Sequence, residues 1–442
     1  MKIDRLHISD FRGIEELTLE FEGKSAILFG INGAGKSSVL WAINLLYAPI
    51  INKIVKQRFK QNINLELKDI RTGKASADLE ALFLLESEGE ARSLPFRRNI
   101  TCENRRDMDS AQLERLVAAY EDLYVGGFHV DGANRPVYEN SDFDLPVFAN
   151  YGVNRLVLKT PLRFRRKPSF GQYSAFDRAI ENQIAFDSLF EWFFDQEFYE
   201  NLKQKDDPGY QDKALCAVKR AMLAMLPDCA DIHIVARPYS MRIMKQGENL
   251  DILQLSDGEK CTLALFGDIA RRLAIANPSL ENPLEGKGVV LIDEIELHMH
   301  TSWQRTVVPA LRRTFPNLQF IITTHSPQIL GEAGDDFKVF SMERTRDTIQ
   351  VQELFSLYGM DSNAILEDMM GTDALSPLIK NTADEMYQWI EKGNYEKAEL
   401  LADRIDTWTR GRNADTVRAR IMIRRGKARN AQNCKTERTG TP

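Results

Sequence analysis

Residues 30–37 contain the strongest chemical signal in the chain. They read Gly-Ile-Asn-Gly-Ala-Gly-Lys-Ser and fit the pattern GxxxxGK[ST]. Glycines at this spacing let backbone N–H groups surround phosphates, while Lys36 reaches the terminal phosphate oxygens and the Ser37 hydroxyl ligates Mg²⁺. The expected phosphate-binding residues are Gly30, Asn32, Gly33, Gly35, Lys36, Ser37 and Ser38. The segment therefore predicts a site for a nucleotide's phosphates, with Mg²⁺ as the cofactor.

An acidic pair, Asp293 and Glu294, follows a short apolar run at 289–292. Asp293 stands at the end of a buried strand, where a phosphate-bound Mg²⁺ needs a carboxylate. Glu294 is placed to orient and deprotonate an attacking water. Apolar runs that end in two acids are also common for structural reasons alone. The position of this pair behind a phosphate loop favours the catalytic interpretation.

A second candidate anion site lies at Leu255-Ser-Asp-Gly-Glu-Lys260, which opens an apolar helix about thirty residues before the acidic pair. Ser256 and Gly258 stand at the helix N-terminus, where free backbone N–H groups attract anions. The alternative is a plain helix cap, in which Ser256 caps and Glu259 completes a capping box. The cap does not exclude a phosphate role.

His325 directly follows the apolar run 320–323. A lone histidine is more often a structural residue than a catalytic one. Here it follows a core strand, and ligands bind at the carboxyl ends of strands in open α/β sheets. Its position therefore favours a role in the site.

The elements that must position these residues follow from hydrophobic periodicity. Residues 3–21 alternate around a turn and predict two half-buried strands, followed by a buried central strand at 25–29 and a helix at 37–47. The runs at 289–292 and 320–323 are typical of parallel strands covered on both faces. Further elements are predicted as a strand at 146–151, strands near 232–235 and 240–243, and helices at 174–204, 211–225 and across 360–430.

Composition limits the class of protein. The chain has 442 residues, 43% of them hydrophobic, and a formal net charge of −6, which predicts a folded chain of two to four domains or one interrupted domain. Its 5 cysteines are scattered without a CxxC pair, so a disulfide framework or structural zinc site is not expected. No stretch approaches the roughly 20 apolar residues of a membrane span, and the first residues lack a signal peptide's apolar core. We therefore expect a cytoplasmic protein with no membrane partner.

The motifs resemble the head of ABC-type ATPases in type and in order along the chain. They are the phosphate loop, the LSDGE-type signature, the Asp-Glu strand and His325. The segment 11–14 (Phe-Arg-Gly-Ile) and the segment 293–300 resemble the RecF/SMC-like and OLD-like branch. Transporter heads usually carry a proline after the acidic pair, where this chain has Ile295.

The resemblance implies that ATP binds between the phosphate loop of one copy and the signature of a second copy in a head-to-head dimer. Ser256, Gly258 and Glu259 would then act in trans on the γ-phosphate. It also implies that Glu294 is the base and Asp293 the Mg²⁺ partner, with His325 as γ-phosphate sensor and Arg12 near the nucleotide. Such heads usually carry a Q-loop glutamine, but the comparable segment 151–155 has none. Arg155 either substitutes for it or is a solvated charge at a strand end, and both interpretations stay open.

The predicted fold class is α/β: an ABC-type P-loop ATPase head, with a mixed sheet and flanking helices, interrupted by a compact, mostly helical insertion lobe and followed by a helical C-terminal extension. The head is assigned to 1–50 and 241–350, the lobe to 51–240 with a strand near 146–151 returning to the head, and a partner-binding region to 351–442. The 219-residue interval from Ser37 to Ser256 lacks sustained heptads, which excludes a chromosome-organising SMC with long arms.

The segment 358–367 and the later Gly-Asn-Tyr-Glu-Lys-Ala at 393–398 are similar to PtuA-type ATPases of Septu and retron-associated antiphage defence systems. This resemblance implies an ATPase that regulates a PtuB-like HNH nuclease, in retron versions together with a reverse transcriptase and its single-stranded DNA/RNA. The alternatives are a RecF-like DNA-repair ATPase and a non-hydrolysing nucleotide-sensing scaffold.

The chain itself is not expected to carry a nuclease site. The 117 residues after His325 contain no DxD with an upstream glutamate, and Asp335 and Asp336 are adjacent rather than spaced. His298 and His300 are interpreted as interface residues rather than metal ligands. Basic clusters at 159–167 and 404–429 are either surfaces for nucleic acid or a partner, or solvated faces.

Overall fold

The computed structural model describes most of the chain. The described residues are 1–55, 61, 63–87, 89–103, 105–125, 128–130, 136–138, 143–155, 171–236, 239–345, 348–355, 357–373, 376–411 and 413–438. The chain divides into two compact units, residues 1–365 and 366–442.

The described strands are β1 (Lys2–Phe11), β2 (Ile14–Glu20), β3 (Ser25–Phe29), β4 (Ser76–Ser87), β5 (Glu90–Thr101), β6 (Arg106–Met108), β7 (Phe128–Val130), β8 (Pro136–Tyr138), β9 (Val147–Tyr151), β10 (Cys229–Ala236), β11 (Tyr239–Lys245), β12 (Glu248–Asp251), β13 (Gly288–Ile292), β14 (Leu318–Thr324), β15 (Phe337–Thr345) and β16 (Thr348–Leu354). The described α-helices are α1 (Lys36–Ile54), α2 (Ser110–Tyr120), α3 (Phe186–Lys203), α4 (Lys213–Leu223), α5 (Asp257–Ala276), α6 (Thr301–Thr314), α7 (Pro327–Leu330), α8 (Ser362–Ala364), α9 (Pro377–Glu391), α10 (Tyr395–Thr409) and α11 (Ala414–Arg438).

The central sheet of the first unit has six strands in the order β16-β15-β3-β14-β13-β9. Its five strands from β15 to β9 are parallel, and β16 pairs antiparallel with β15. Every residue of β13 and β14 is buried, as the continuous apolar runs predict. Because the strands are parallel, the carboxyl ends of β3, β14, β13 and β9 meet at one edge. The phosphate loop, His325, Asp293 and Gly152 each follow one of these ends.

A second, antiparallel sheet has the order β2-β1-β4-β5-β6. Buried and half-buried residues alternate along β4, so one face of this strand packs into the core. β4 and β5 lie within the range predicted as a mostly helical lobe, yet β4 pairs with β1 along most of its length. That part of the range therefore adds strands to the sheet that β1 and β2 begin. The pairing joins segments about 75 residues apart, so local periodicity predicts the strand but not its partner.

The remaining described part of 143–255 contains α3, α4 and a three-stranded antiparallel sheet, β10-β11-β12. α4 lies within the predicted helix 211–225, and β10 and β11 contain the predicted strands near 232 and 240. The predicted helix 174–204 is shorter than expected, because α3 begins only at Phe186. Arg178 and Asn182 adopt left-handed backbone conformations, with φ of +51° and +57°, which interrupt a right-handed helix before Phe186.

The second unit contains α9, α10 and α11, as the helical pattern of 360–430 predicts. Its core is formed by Ala383, Met386, Ile390, Ala398, Leu401, Ala402, Ile405, Ala419 and Ile423. Arg420 pairs with Asp403 and Asp406, and Lys427 pairs with Glu399. Part of the basic charge of 404–429 is therefore neutralised within the unit. Among the described helices, none is both long and apolar enough to cross a membrane.

Candidate active site

The phosphate loop connects β3 to α1 through three glycines with positive φ. The φ angles are +147° at Gly30, +82° at Gly33 and +91° at Gly35. A Cβ atom on Gly30 would collide with the backbone carbonyl oxygen of Met342, so only glycine fits at this position. α1 begins at the next residue, Lys36, and directs its free N–H groups into the loop. Asn32 and Gly33 are exposed at the loop tip, and Ser38 is half-buried.

Lys36 is buried within the phosphate loop, with 6% of its surface exposed. Its Nζ donates hydrogen bonds to the carbonyl oxygens of Gly30 (2.9 Å) and Ile31 (3.1 Å). Burial lowers the pKa of Lys36, and the negative charges of Glu294, Asp293 and Glu296 oppose that shift. The ammonium group therefore lies among three carboxylates and is held by neutral carbonyls, which phosphate oxygens can replace as stronger acceptors.

Asp293 and Ser37 meet across the carboxyl ends of β13 and β3. Ser37 Oγ donates to Asp293 Oδ1 at 3.1 Å, and Thr323 Oγ1 donates to the same oxygen at 2.5 Å. These are hard oxygen ligands of the kind Mg²⁺ prefers, so the residues fit this ion. Within the described ranges, no group of three His, Cys, Asp or Glu side chains is placed to hold a metal. Mg²⁺ usually keeps phosphate and water oxygens as its other ligands.

Glu294 has a left-handed backbone that is held from both sides. Its φ is +47°, its N–H donates to Thr323 Oγ1 at 2.7 Å, and its carbonyl accepts from Arg155 Nη2 at 2.5 Å. Such a conformation in a non-glycine residue costs roughly 1–2 kcal/mol and tends to occur at functional sites. Among the described residues, the Glu294 carboxylate has no hydrogen-bond partner. It therefore remains available to a water molecule.

Arg155 is 2% exposed, so it is not a solvated charge at a strand end. Its guanidinium bonds the backbone of Glu294, and its charge acts on the thiol of Cys261 in α5. Burial raises the pKa of Cys261, and the guanidinium opposes this. Arg155 therefore lies between the acidic pair and the signature helix. Whether it substitutes for a Q-loop glutamine stays a prediction.

A cavity of about 260 Å³ adjoins Ser37 and Asp293. Its other lining residues are Arg12, Leu40, Trp41, Asn150, Gly152 and Asn182. The Asn150 amide donates to Asn182 Oδ1, so two amide side chains lie in the cavity that Ser37 and Asp293 line. Sequence reasoning missed both residues. Asn182 is distant in sequence from the other lining residues, so nothing in the sequence indicated its role. The one available signal was Asn150, a polar residue inside the apolar run that forms β9.

Arg12 lies in the same cavity as Ser37. It has a φ of +51°, its Nε donates to Asp69 at 2.9 Å, and its guanidinium lies 5.4 Å from the centre of the Trp41 ring. The side chain is thus oriented by an acid and an aromatic ring beside the α1 N-terminus. The expectation that it contacts the nucleotide remains a prediction.

His325 follows β14 and is half-buried. Its backbone N–H donates to Glu296 Oε1 at 2.5 Å, and Thr324 Oγ1 donates to Glu296 Oε2 at 2.8 Å. Glu296 and Thr323 were not predicted from sequence. The sequence signal for Glu296 was its position, since it is a second glutamate two residues after Glu294.

The signature residues open α5 with the predicted capping box. Ser256 Oγ accepts from the N–H of Glu259, and the Ser256 N–H donates to Glu259 Oε2 at 2.9 Å. Lys245 pairs with Glu259 at 2.5 Å. A Cβ on Gly258 would lie 2.5 Å from the carbonyl oxygen of His298, so the loop after the acidic pair packs directly on this glycine. At this helix N-terminus, Ser256 and Asp257 are exposed, whereas Gly258 is buried.

A second cavity, of about 630 Å³, lies at the signature. It is lined by Ser256, Asp257, Gly258, Glu259, His298, Met299, His300, Ser302 and Trp303. None of these residues lines the cavity beside Ser37. His298 is exposed with a φ of +66°, and His300 caps α6 by accepting from the N–H of Ser302. The two cavities of one chain are therefore separate.

A buried charge network joins α5 to the end of β9. Asp268 accepts from Arg271 (2.6 Å), Arg272 (2.9 Å) and the hydroxyl of Tyr151 (2.8 Å). Burial alone would raise the pKa of Asp268, but Arg272 and Arg271 lower it to about 2. The Tyr151 carbonyl in turn accepts from the N–H of Asp293 at 2.8 Å. The signature helix is thus connected rigidly to the backbone of the acidic pair.

One parallel sheet carries a phosphate loop after β3, an acidic pair after β13 and a histidine after β14, and a capped signature helix accompanies it. This arrangement defines an ABC-type P-loop ATPase. A family profile described as "AAA domain, putative AbiEii toxin, Type IV TA system" matches residues 25–331, and the chain belongs to this family.

Three relatives agree with the predicted resemblance to PtuA-type and retron-associated ATPases. The "Retron Ec83 probable ATPase" of Escherichia coli is 27% identical over 74% of this chain and 69% of its own length. The "Retron Vc95 probable ATPase" of Vibrio cholerae serotype O1 biovar El Tor is 29% identical over 75% of this chain and 71% of its own. The "Septu protein PtuA" of Bacillus thuringiensis is 23% identical over 49% of this chain and 56% of its own. The resemblance is confirmed.

The basic cluster predicted at 159–167 lies outside the described residues. Of the acidic residues considered for a nuclease, Asp336 pairs with Arg312 at 2.5 Å.

Proposed function

We propose that the chain hydrolyses ATP between two copies, and that this cycle regulates a separate HNH nuclease in antiphage defence. The observation that carries the first part is the separation of the two cavities. The phosphate loop and the signature of one chain line different cavities. In the proposed dimer, each would supply half of an ABC-type site. A second copy is the simplest source of the missing half.

The chemistry follows from the side chains at the sheet edge. Lys36 and the loop N–H groups would bind the phosphates, and Ser37 and Asp293 would hold Mg²⁺, which supplies charge neutralisation for the phosphate oxygens. Glu294 would accept a proton from the attacking water while its backbone is held by Thr323 and Arg155. His325 would contact the γ-phosphate, and Ser256 and Gly258 of the second copy would approach the same group.

A nearly isosteric pair of variants tests the composite site. Ser256→Asp and Ser256→Asn both keep a good N-cap residue for α5, but only the first adds a negative charge. In a Glu294→Gln background, ATP with Mg²⁺ should convert the Ser256→Asn protein to a dimer. The Ser256→Asp protein should remain monomeric, because its carboxylate would face the second copy's γ-phosphate. Size-exclusion chromatography with light scattering measures the difference, and mant-ATP affinity should stay within about 3-fold, since each chain's own phosphate loop is intact.

Two results contradict the composite site. One is that both variants dimerise equally with ATP. The other is that Ser256→Asp loses ATP affinity as a monomer, because the signature would then act on the nucleotide of its own chain.

The retron and Septu relatives support a role in antiphage defence, and the nuclease partner is proposed from the resemblance to PtuA-type ATPases. We assign partner binding to 351–442, and the separate compact unit at 366–442 supports this assignment. Leu400, Val417 and Trp408 are exposed on that unit at 67%, 56% and 43%. A contiguous surface formed by these side chains would be typical of an interaction site. In a retron version, a reverse transcriptase and its single-stranded DNA would belong to the same complex.

Co-expression with a PtuB-like HNH nuclease tests the regulation. We expect the nuclease to co-purify with this chain, and its nicking of plasmid DNA to differ about 10-fold between complexes with the wild type and with Glu294→Gln. The nuclease expressed alone is the control. Equal nicking in all three samples would exclude regulation by the ATPase and favour the RecF-like repair alternative.

A further inference from the structure

We propose that Glu296 is a positioning residue that holds His325 against the nucleotide's γ-phosphate. The proposal rests on the proposed role of His325 and adds a residue for which neither the motifs nor the relatives assign a role. Both Glu296 oxygens are used on one short segment: Oε1 accepts from the His325 N–H at 2.5 Å, and Oε2 accepts from Thr324 Oγ1 at 2.8 Å.

The bonds of Glu296 extend through the whole turn that carries the histidine. Thr324 Oγ1, which donates to Glu296, also accepts from the N–H of Ser326 at 3.0 Å. Thr324 is fully buried and Ser326 nearly so, and these groups have little access to water as a replacement partner. The turn at 324–326 is therefore held in place by the Glu296 carboxylate, which lies in the loop after the neighbouring strand β13. Without that carboxylate, two of its polar groups lose their partner.

Glu296 also contributes to the electrostatic potential of the predicted nucleotide site. Its negative charge acts on Lys36 together with those of Asp293 and Glu294. Glu294 and Glu296 stand on the same exit loop but do different things. Among the described residues, the Glu294 carboxylate has no hydrogen-bond partner, whereas both carboxylate oxygens of Glu296 accept hydrogen bonds from the segment after β14. The spacing Asp-Glu-x-Glu thus supplies a metal partner, a base and a clamp for the sensor.

Glutamine is the sharpest replacement. Glu296→Gln keeps the length of the side chain but removes its charge, and its amide nitrogen can only donate. The contact with Thr324 then persists only if the hydroxyl turns to accept from the amide. Two charge-assisted bonds thus become weaker neutral ones, and the hold on the segment that carries His325 loosens. Because His325 carries the function and Glu296 acts through it, the two residues form a unit whose effects do not add.

The test is a double-mutant cycle of Glu296→Gln and His325→Ala, with steady-state ATP hydrolysis and mant-ATP binding as readouts. We expect Glu296→Gln to lower kcat about 10- to 100-fold while the Kd for mant-ATP changes by less than about 3-fold. In the His325→Ala background, Glu296→Gln should lower kcat by no more than about 2-fold. Glu332→Gln is the matched control and should match the wild type, because among the described residues the Glu332 carboxylate pairs with Arg305 alone, at 3.9 Å.

Thr324→Val is a second, shape-conserving variant that removes only one of the two bonds. It should show a smaller loss of kcat than Glu296→Gln, and again no further loss in the His325→Ala background. Full multiplication of the Glu296→Gln and His325→Ala effects would overturn the proposal even if each single variant is slow. If His325→Ala hydrolyses ATP at the wild-type rate, the sensor role in the proposed function fails and this proposal falls with it. A composite site between two copies would stand in either case, because the Ser256 variants test it independently.

Discussion

Replacing Glu294 by glutamine is expected to slow ATP hydrolysis about 100- to 1000-fold while leaving ATP binding unchanged. The substitution keeps the size of the side chain and removes the group that accepts a proton from water, a contribution of about 10²–10⁴ in general base catalysis. The backbone of residue 294 should not move, since its N–H and carbonyl are held by Thr323 and Arg155 rather than by its own carboxylate.

Phosphate release and mant-ATP titration measure this result on the same preparation. Glu281→Gln is the matched control, because Glu281 is an exposed glutamate of the same unit. It should hydrolyse ATP at the wild-type rate. If Glu294→Gln were as fast as the wild type, the assignment of the base would be wrong. If the wild-type protein itself turned over no ATP, including with its partner nuclease, the scaffold alternative would be favoured.

Replacing Lys36 by alanine is expected to weaken ATP binding by about 100-fold or more. Charge-assisted hydrogen bonds to phosphate are among the strongest polar contacts in proteins, and losing one such contact costs about 2–5 kcal/mol, where 1.4 kcal/mol is tenfold in affinity. The loss is amplified here because Lys36 lies among the charges of Asp293, Glu294 and Glu296. Without its ammonium group, three carboxylates would face an incoming triphosphate.

Isothermal titration with ATP and Mg²⁺ measures the effect, and thermal unfolding shows whether the fold persists. Lys53→Ala is a suitable control, because Lys53 is an exposed lysine in the last turn of the same helix, α1. Its affinity for ATP should equal that of the wild type. Unchanged binding by Lys36→Ala would refute the phosphate-loop assignment. Together, the Lys36 and Glu294 variants separate loss of binding from loss of chemistry.

The sequence by itself determined the candidate site residues and the local elements that carry them. The phosphate loop at 30–37 needs particular residue types within eight positions. The runs that form β13 and β14 are apolar because both faces of each strand are buried. The capping box at Ser256 and Glu259 is likewise a contact between residues three positions apart. Such features depend on neighbours in the chain, so composition and spacing are sufficient to predict them.

Only the tertiary structure decided which distant residues complete the site. The partner of β4 is β1, the end of β9 lies beside β13, and Arg155 is buried against the Glu294 carbonyl. Asn150 and Asn182 share a cavity with Ser37, and Glu296 reaches across to His325. Each of these contacts joins residues that are tens to hundreds of positions apart. Their strength comes from burial and hydrogen-bond geometry, which the periodicity of a single segment does not encode.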